Sequence, residues 1–354
     1  MPHYFRDFQF KLFLIVLLII QYIFLKSKYL SFESSKYIYE LRKKLNISNE
    51  FNKIYSDLFY KAKSGGASKP ISVGKTIKSY NREKDKGILL STIGKKENLY
   101  IREFVEYYQR LNFSKIIIFD NNDINGEVFD HILNDYIKNN FVEIIDIRGF
   151  SSSQIAVINY SYQKYKKLYD WIAFFDIDEY LYIKDNLNIN KYLYNERFQK
   201  CESIIFNWHI YDDNNLEKYE NMTLIKRFKN IKFRAIQAKS IIRGNLDNLL
   251  FPSVHICAIN VNYFCDSTGK RIFPQSFLGS NLTGNYLAYI KHFYTKTAEE
   301  FCFKLNRGDA QFKDKTILSR IQYFFKINKI TKNKIKIIEN CIHYNISKLL
   351  SKNN

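Results

Sequence analysis

From Gly87 onward, apolar residues fall into short blocks whose spacing alternates between two patterns. Ile88-Leu89-Leu90 is a brief unbroken apolar run, the pattern of a strand buried on both faces. Over residues 98–111 the spacing changes. Ile101, Phe104, Val105, Tyr108 and Leu111 recur at three and four positions, which predicts an amphipathic helix. Ile116-Ile117-Ile118-Phe119 predicts a second buried strand, ending in Asp120-Asn121-Asn122. Residues 127–138 predict a second helix, with Val128, Phe129, Ile132, Leu133, Tyr136 and Ile137 facing inward. A strand follows at 141–147. Ser151-Ser152-Ser153 offers an N-cap for a helix running to about Leu168, and 171–175 is again a strand. Strand and helix alternating at this pitch imply right-handed crossovers and an α/β fold, with a mostly parallel central sheet flanked by helices.

Upstream the pattern differs. Leu12 to Ile20 is an unbroken apolar run, and after Gln21 it resumes through Tyr22-Ile23-Phe24-Leu25. As a helix, 12–25 would reach only about 21 Å against a hydrocarbon core of about 30 Å. Adding 8–11 brings it near spanning length, with Lys11 snorkelling. A cleaved signal peptide and a buried core helix are the alternatives. An uncleaved signal anchor is favoured, because Lys26-Ser27-Lys28-Tyr29 supplies no small-x-small cleavage site. Basic residues flank both sides and more follow the run, so the positive-inside rule taken literally would keep the body cytoplasmic. Residues 31–85 are polar and charged and contain Ser64-Gly65-Gly66-Ala67-Ser68-Lys69-Pro70, a stem or linker. The expected organisation is a tail and anchor over 1–30, a stem over 31–85, a catalytic domain over 86–310 and a basic helical tail over 311–354. Leu318, Ile321, Phe324 and Phe325 in that tail could pack back on the domain, or its basic face could lie near a membrane.

Hydrophobic residues make up 46% of the 354, which excludes global disorder. The net charge of +20 invites a nucleic-acid or anionic-surface partner. That reading is discounted: Lys, Asn, Ile, Tyr and Phe are all abundant and share AT-rich codons, and no zinc-finger spacing, RNP-like motif or GxxG loop supports it. The five cysteines include no CxxC pair, so a structural zinc site is not expected. Cys257 and Cys265 could form a disulfide in an oxidising compartment, and an odd count leaves a free thiol. Sequons at Asn46, Asn112, Asn159, Asn221, Asn281 and Asn345 say little in so Asn-rich a chain.

The candidate chemistry begins at Trp171-Ile172-Ala173-Phe174-Phe175-Asp176-Ile177-Asp178-Glu179, a buried strand running into three carboxylates. Open α/β sheets bind ligands at the carboxyl ends of their strands. Two Asp one residue apart can share a hard divalent cation and the phosphates it bridges. A lone Asp-x-Asp arises by chance about once in a chain of this size, and the plainer reading is a strand cap or turn. Asp120 ends another strand on the same expected edge, so the two acids together favour a nucleotide site. No Walker A or GxGxxG pattern is present. A phosphohydrolase using Asp-x-Asp would show Thr soon after the pair, where Glu179-Tyr180-Leu181 stands instead.

Three blocks resemble glycosyltransferase family 92, a GT-A-type group. The first is Lys96-Glu97-Asn98 with Ile101 to Tyr108, followed by Lys115 to Asn121. The second is Asp170-Trp171 to Leu181, similar to the family's D-W-x-x-F-x-D-x-D-E-F/Y. The third is Ile290 to Thr297 with Glu299-Glu300-Phe301, Lys304 and Arg307-Gly308, similar to H-Y-x-x-K-S-x-E-E-F-x-x-K-x-x-R-G. The chain departs at Glu97-Asn98 (usually Asn-Glu), at Phe293 and Thr297, and at Trp208 to Asp212, which lacks a glycine. The resemblance implies a GT-A-like fold behind an N-terminal anchor helix. It also implies transfer of a sugar, galactose among the candidates, from a nucleotide-diphosphate donor such as a UDP-sugar to a glycan on protein or lipid. Asp176 and Asp178 would hold Mn²⁺ or Mg²⁺, with His292 as a further ligand and His255 a weaker candidate. Glu97, Asp120, Asp176 and Lys296 would meet the nucleotide sugar, and Arg243, Lys304 and Arg307 could neutralise phosphate. Inversion needs a carboxylate base, for which Asp212, Asp213 and Asp247 are candidates. A eukaryotic member would sit in the Golgi or another secretory compartment.

Overall fold

The computed structural model describes residues 86–150, 153–247, 249, 251–255, 261–274, 286–307 and 317–350. The predicted anchor and stem, Cys257 and residues 308–316 lie outside them. The described residues divide into two compact units, one built on 86–210 and 233–292 and the other on 211–232 and 293–350.

The first unit carries the sheet. Its parallel half is β3 (Val142–Asp146), β2 (Lys115–Asp120), β1 (Ile88–Gly94) and β4 (Trp171–Phe174), in that order. Gly94 pairs with Asp120, Asp120 with Asp146, and Ser91 with Phe174, so these strands end on one edge. β1 and β4 are almost wholly buried, which is why they read as unbroken apolar runs. Beyond β4 the order continues through β7 (Ile231–Arg243), β6 (Ser203–Tyr211), β10 (Ala288–His292) and β5 (Glu179–Ile183). β7 is antiparallel to β4, and β5 to β10, while β10 runs parallel to β6. The sheet is thus mixed, with parallel pairings in the majority among those of the described strands. The sequence pattern traced crossovers only as far as β4, and after it the chain turns straight back through β5.

Helix α1 (Asn98–Arg110) buries Ile101, Phe104, Val105 and Tyr108. The Tyr108 hydroxyl donates to Glu179 O at 2.8 Å and accepts from Leu181 N at 3.1 Å, fixing the start of β5. Helix α2 spans Asp130–Lys138, later than the predicted start at 127. The Glu127 carboxylate instead accepts from Asn98 N at 3.1 Å, capping the neighbouring helix. Helix α3 (Gln154–Tyr165) ends short of Leu168, and Ser153 occupies its N-cap position without a side-chain capping bond. α3 packs Val157, Ile158, Tyr162 and Tyr165 against Leu89, Ile117 and Ile172 of the sheet.

A disulfide joins Cys201 to Cys265, which corrects the expected Cys257–Cys265 pair. Cys201 leads into β6, and β6 pairs with the two-residue strand β8 (Phe264–Cys265), so strand pairing brings the sulfurs together. Asn159, a sequon residue, is buried, its side chain bonded to Phe251 N and O.

In the second unit, helices α4 (Ala298–Arg307), α5 (Ile317–Ile327) and α6 (Lys332–Leu350) share one apolar cluster of Phe301, Leu305, Ile321, Phe324, Ile338 and Ile342. The carboxyl-terminal helices therefore share a core with α4 rather than forming a detached tail. Thr297 and Glu300 form a capping box at the start of α4. The Arg227 guanidinium grips Glu300 with two bonds of 2.7 and 2.8 Å. No described helix is long and apolar enough to cross a membrane.

Candidate active site

The carboxyl edge of the parallel strands is tied together by side-chain amides. Asn121 donates to Ile147 O at 3.2 Å and Phe150 O at 2.6 Å, and Asn122 Oδ1 accepts from Lys96 N at 2.6 Å. These bonds fasten the loops after β1, β2 and β3 to one another. Asp120 is fully buried, with Oδ1 accepting from Asn122 N at 3.0 Å and Arg148 Nε 3.9 Å from Oδ2. Burial pushes its carboxyl above the usual range, against the Asn122 bonds and the Arg148 charge. Asp120 thus shapes the turn after β2. Glu97, also buried, sits at the N-cap of α1 on the same edge. A Cβ on Gly94 would come within 2.7 Å of Ile177 Cδ1, so the chain approaches the Asp-x-Asp loop as only glycine can.

Asp176 is held from both sides. Gln154 Nε2, at the first turn of α3, donates to Oδ1 at 2.7 Å, and Lys239 Nζ donates to Oδ2 at 3.0 Å. Lys239 lies in β7, whose antiparallel register (Ala173 opposite Ile241) brings it to the carboxyl end of β4. Its side chain is 1% exposed and also stands 3.6 Å from Glu179 Oε2. Burial alone would lower the Lys239 pKa, but Asp176 and Glu179 outweigh it and hold the ammonium above its ordinary value. Burial drives the Glu179 carboxyl well above the usual range, with Lys239 opposing. The lysine thus faces two carboxylates, Asp176 at 3.0 Å and Glu179 at 3.6 Å. Ser91 and Thr92, within β1, border a small pocket together with Gln154, Asp176 and Lys239, and Ser91 shares its strand face with Leu89 and Ile93, the face toward α3. Both hydroxyls are buried without a hydrogen-bond partner, which is costly unless a ligand supplies one.

Asp178 faces a different neighbour. β10 pairs with β5 so that His292 lies opposite Glu179, and His292 Nε2 stands 3.6 Å from Asp178 Oδ1. Both residues are buried. Trp208 packs its ring 4.2 Å from His292 and 5.1 Å from His255, setting both imidazoles around one indole. A separation of 3.6 Å is too long for a good hydrogen bond. It suits two ligands that each approach one cation to about 2.0–2.2 Å. One carboxylate oxygen and one imidazole nitrogen fit Mn²⁺ better than Mg²⁺. Both Asp176 oxygens accept N–H donors, and among the described residues no three His, Cys, Asp or Glu side chains are grouped to hold a metal.

The other sequence candidates divide between the two units. Asp247 follows β7, whose end pairs with Trp171 at the start of β4, so it belongs to the opposite edge of the sheet from Asp176. Its side chain is 86% exposed, 3.9 Å from Lys166. Arg243, on that same edge, donates to Cys201 O and Phe198 O and stacks on Trp171, a packing role. Asp213 belongs to the second unit, buried against Lys334, its backbone N–H bonded to Asn328 Oδ1 at 2.7 Å. Asp212 caps its own turn by accepting from Asn214 N at 2.9 Å. Lys296, also in the second unit, is buried in a left-handed conformation (φ 54°). Lys304 there donates to Tyr294 O at 2.8 Å and lies over that ring. Gln154, Lys239, Ser91 and Thr92 were not singled out from the sequence. Lys239 stands between Ala238 and Ser240 in a stretch that also holds Lys232 and Arg234, so its pattern does not mark it out.

The model of the family "Glycosyltransferase family 92" matches residues 88–322. Two curated Arabidopsis thaliana proteins are similar over shorter stretches. Galactan beta-1,4-galactosyltransferase GALS2 is 31% identical over 98 residues, covering 25% of this chain and 19% of its own. GALS3 is 30% identical over 91 residues, 23% of this chain and 18% of its own. The matched stretches thus span less than a fifth of the relatives' length. Among solved structures, S. aureus TarS 1-349 in complex with UDP aligns with a TM-score of 0.37 at 10% identity, over 68% of this chain and 70% of that one. Its complex with UDP-GlcNAc aligns at 0.36 and 12% identity, over 74% and 81%.

Proposed function

This chain belongs to glycosyltransferase family 92, and from that membership we propose that it moves a sugar from a nucleotide-diphosphate donor, a UDP-sugar first, to a glycan acceptor, with a divalent metal and inversion at the anomeric carbon. The observation that carries the reading is the meeting of Asp178 and His292 at the carboxyl edge of the sheet, beside a pocket with unsatisfied hydroxyls.

Asp178 and His292 would hold Mn²⁺, which would offset the charge that develops on the leaving diphosphate. The chain's own groups do the rest. Ser91 would donate to the polar edge of the donor, relieving a buried orphan hydroxyl. Lys239 is a fixed positive charge beside the phosphates' path, in a dry setting where such a charge acts strongly. The amides fastening the three edge loops keep this constellation from moving as charge develops.

The curated relatives are named as galactan galactosyltransferases, which makes galactose the first sugar to test. The Cys201–Cys265 disulfide supports an oxidising location such as the Golgi lumen, with the 12–25 segment as a signal anchor to the membrane. That would reverse the orientation that flanking charge suggests.

The test is release of UDP from a panel of UDP-sugars by the full chain in detergent, with and without Mn²⁺, beside Asp178→Ala. Metal-stimulated release that disappears in the variant is expected. A folded protein that releases nucleotide from no donor, with or without a glycan acceptor, would overturn the proposal.

A further inference from the structure

We infer that Lys239 is a positioning residue that keeps Asp176 away from the metal, so that a divalent ion binds firmly only together with the donor's diphosphate. The inference deepens the metal-assisted reading above and rests on it.

The first ground is geometry. An Asp-x-Asp pair acts as a two-carboxylate clamp only if both side chains can turn to the same ion. Here Oδ2 of Asp176 is 3.0 Å from the Lys239 ammonium and Oδ1 is 2.7 Å from Gln154 Nε2. Lys239 cannot swing away at little cost, since its side chain is 1% exposed and Glu179 stands 3.6 Å from it on the other side. Asp178 and His292, 3.6 Å apart, are the pair that could share an ion.

The second ground is charge. Hard divalent cations bind through several oxygen ligands, and their affinity rises with the negative charge of the set. Without donor, the strand end offers one carboxylate and one imidazole, while Lys239 holds its ammonium 3.0 Å from Asp176. A diphosphate brings both the missing oxygens and the missing charge. The third ground is that the pocket shared by Asp176 and Lys239 is also lined by Ser91, whose buried hydroxyl has no hydrogen-bond partner. A ligand there would supply one. Metal and nucleotide binding to neighbouring parts of one site must be coupled reciprocally, and Lys239 sets the size of that coupling.

The experiment is calorimetric titration of Mn²⁺ into the full chain in detergent, with and without saturating UDP, for wild type, Lys239→Met, Lys239→Arg and Gln154→Leu. Wild type is expected to bind Mn²⁺ at least tenfold more tightly with UDP than without. Lys239→Met, which keeps the chain length and removes the charge, is expected to bind Mn²⁺ alone about tenfold more tightly than wild type, with the UDP enhancement reduced by the same factor. Lys239→Arg should keep the wild-type coupling. Gln154→Leu frees the other Asp176 oxygen and should shift Mn²⁺ affinity the same way to a smaller extent, which keeps the test open if Lys239→Met fails to fold. A folded Lys239→Met, or in its place a folded Gln154→Leu, with wild-type affinity and coupling would overturn the inference alone. A wild type that binds no Mn²⁺ even with UDP would overturn the metal reading and the inference with it.

Discussion

His292 and Asp178 come within 3.6 Å of each other because β10 runs antiparallel to β5 and sets His292 opposite Glu179. They would act as one ligand pair, so their losses should not add. His292→Ala and Asp178→Ala are each expected to lower metal-stimulated UDP release at least about a hundredfold. The double variant should fall little further. Steady-state rates over a Mn²⁺ series check this, with melting curves to confirm folding. Losses that multiply in the double variant would show that the two residues act separately.

His209 gives the clearest pH dependence. Its side chain is 3% exposed, stacked 3.8 Å from the Tyr289 ring, and neither ring nitrogen has a hydrogen-bond partner. Burial, helped by the Arg234 charge, pushes its pKa down from 6.5 to about 4. The unfolded chain then takes up a proton near pH 6.5 that the folded chain refuses until about pH 4. This contribution is complete above pH 6.5 and is lost as pH falls toward 4, amounting to about 2 kcal/mol at pH 5. Denaturant unfolding at pH 7.5 and 5 should show wild type losing about that much more stability than His209→Phe, which keeps the stacked ring. Equal losses would mean that His209 is open to water in the native state.

The parallel strands, α1 and the Asp-x-Asp loop were legible because each is local: an apolar run, a helical spacing, carboxylates at a strand end. What the sequence hid depends on register between distant strands. Lys239 reads as one of many surface lysines until β7 lies antiparallel beside β4 and buries it against Asp176. Gln154 reads as an ordinary polar residue in the first turn of a helix. Cys201 offered no spacing signal, because its pairing follows from β6 lying beside β8. His292 could be named in advance only through the family resemblance, since its place opposite Glu179 is again a matter of register. The base candidates Asp213 and Asp247 were chosen by distance along the chain, which says little about which edge of a sheet a loop occupies.

Reduction of the Cys201–Cys265 bond, which closes a loop of 64 residues, should cost about 4 kcal/mol on the chain-entropy account. Two-residue β8 has little pairing of its own to hold Phe264 and Cys265 against β6. Cys201→Ser and Cys265→Ser should therefore lower the melting temperature equally, and the double variant should match either single one. Thiol labelling of the denatured wild-type chain should find both cysteines protected before reduction and reactive after it. Labelling of either without reductant would rule out the bond.

Asp213 separates a structural carboxylate from a catalytic one. It is 1% exposed and ion-paired to Lys334, whose side chain is fully buried. Burial raises its pKa, with the Lys334 contact opposing. Removing one member of such a pair leaves the other charge stranded, which costs about 3–5 kcal/mol, whereas replacing both with apolar groups is often neutral. Asp213→Ala and Lys334→Met should each destabilise the fold strongly, and Asp213→Leu with Lys334→Met together should recover most of the loss. Asp247→Ala, at an exposed side chain, should stay within about 0.5 kcal/mol of wild type. Turnover per folded molecule decides the roles. If the Asp213→Leu/Lys334→Met protein folds and keeps wild-type turnover, Asp213 serves the fold; if it folds and is inactive, the carboxylate itself is needed for the chemistry.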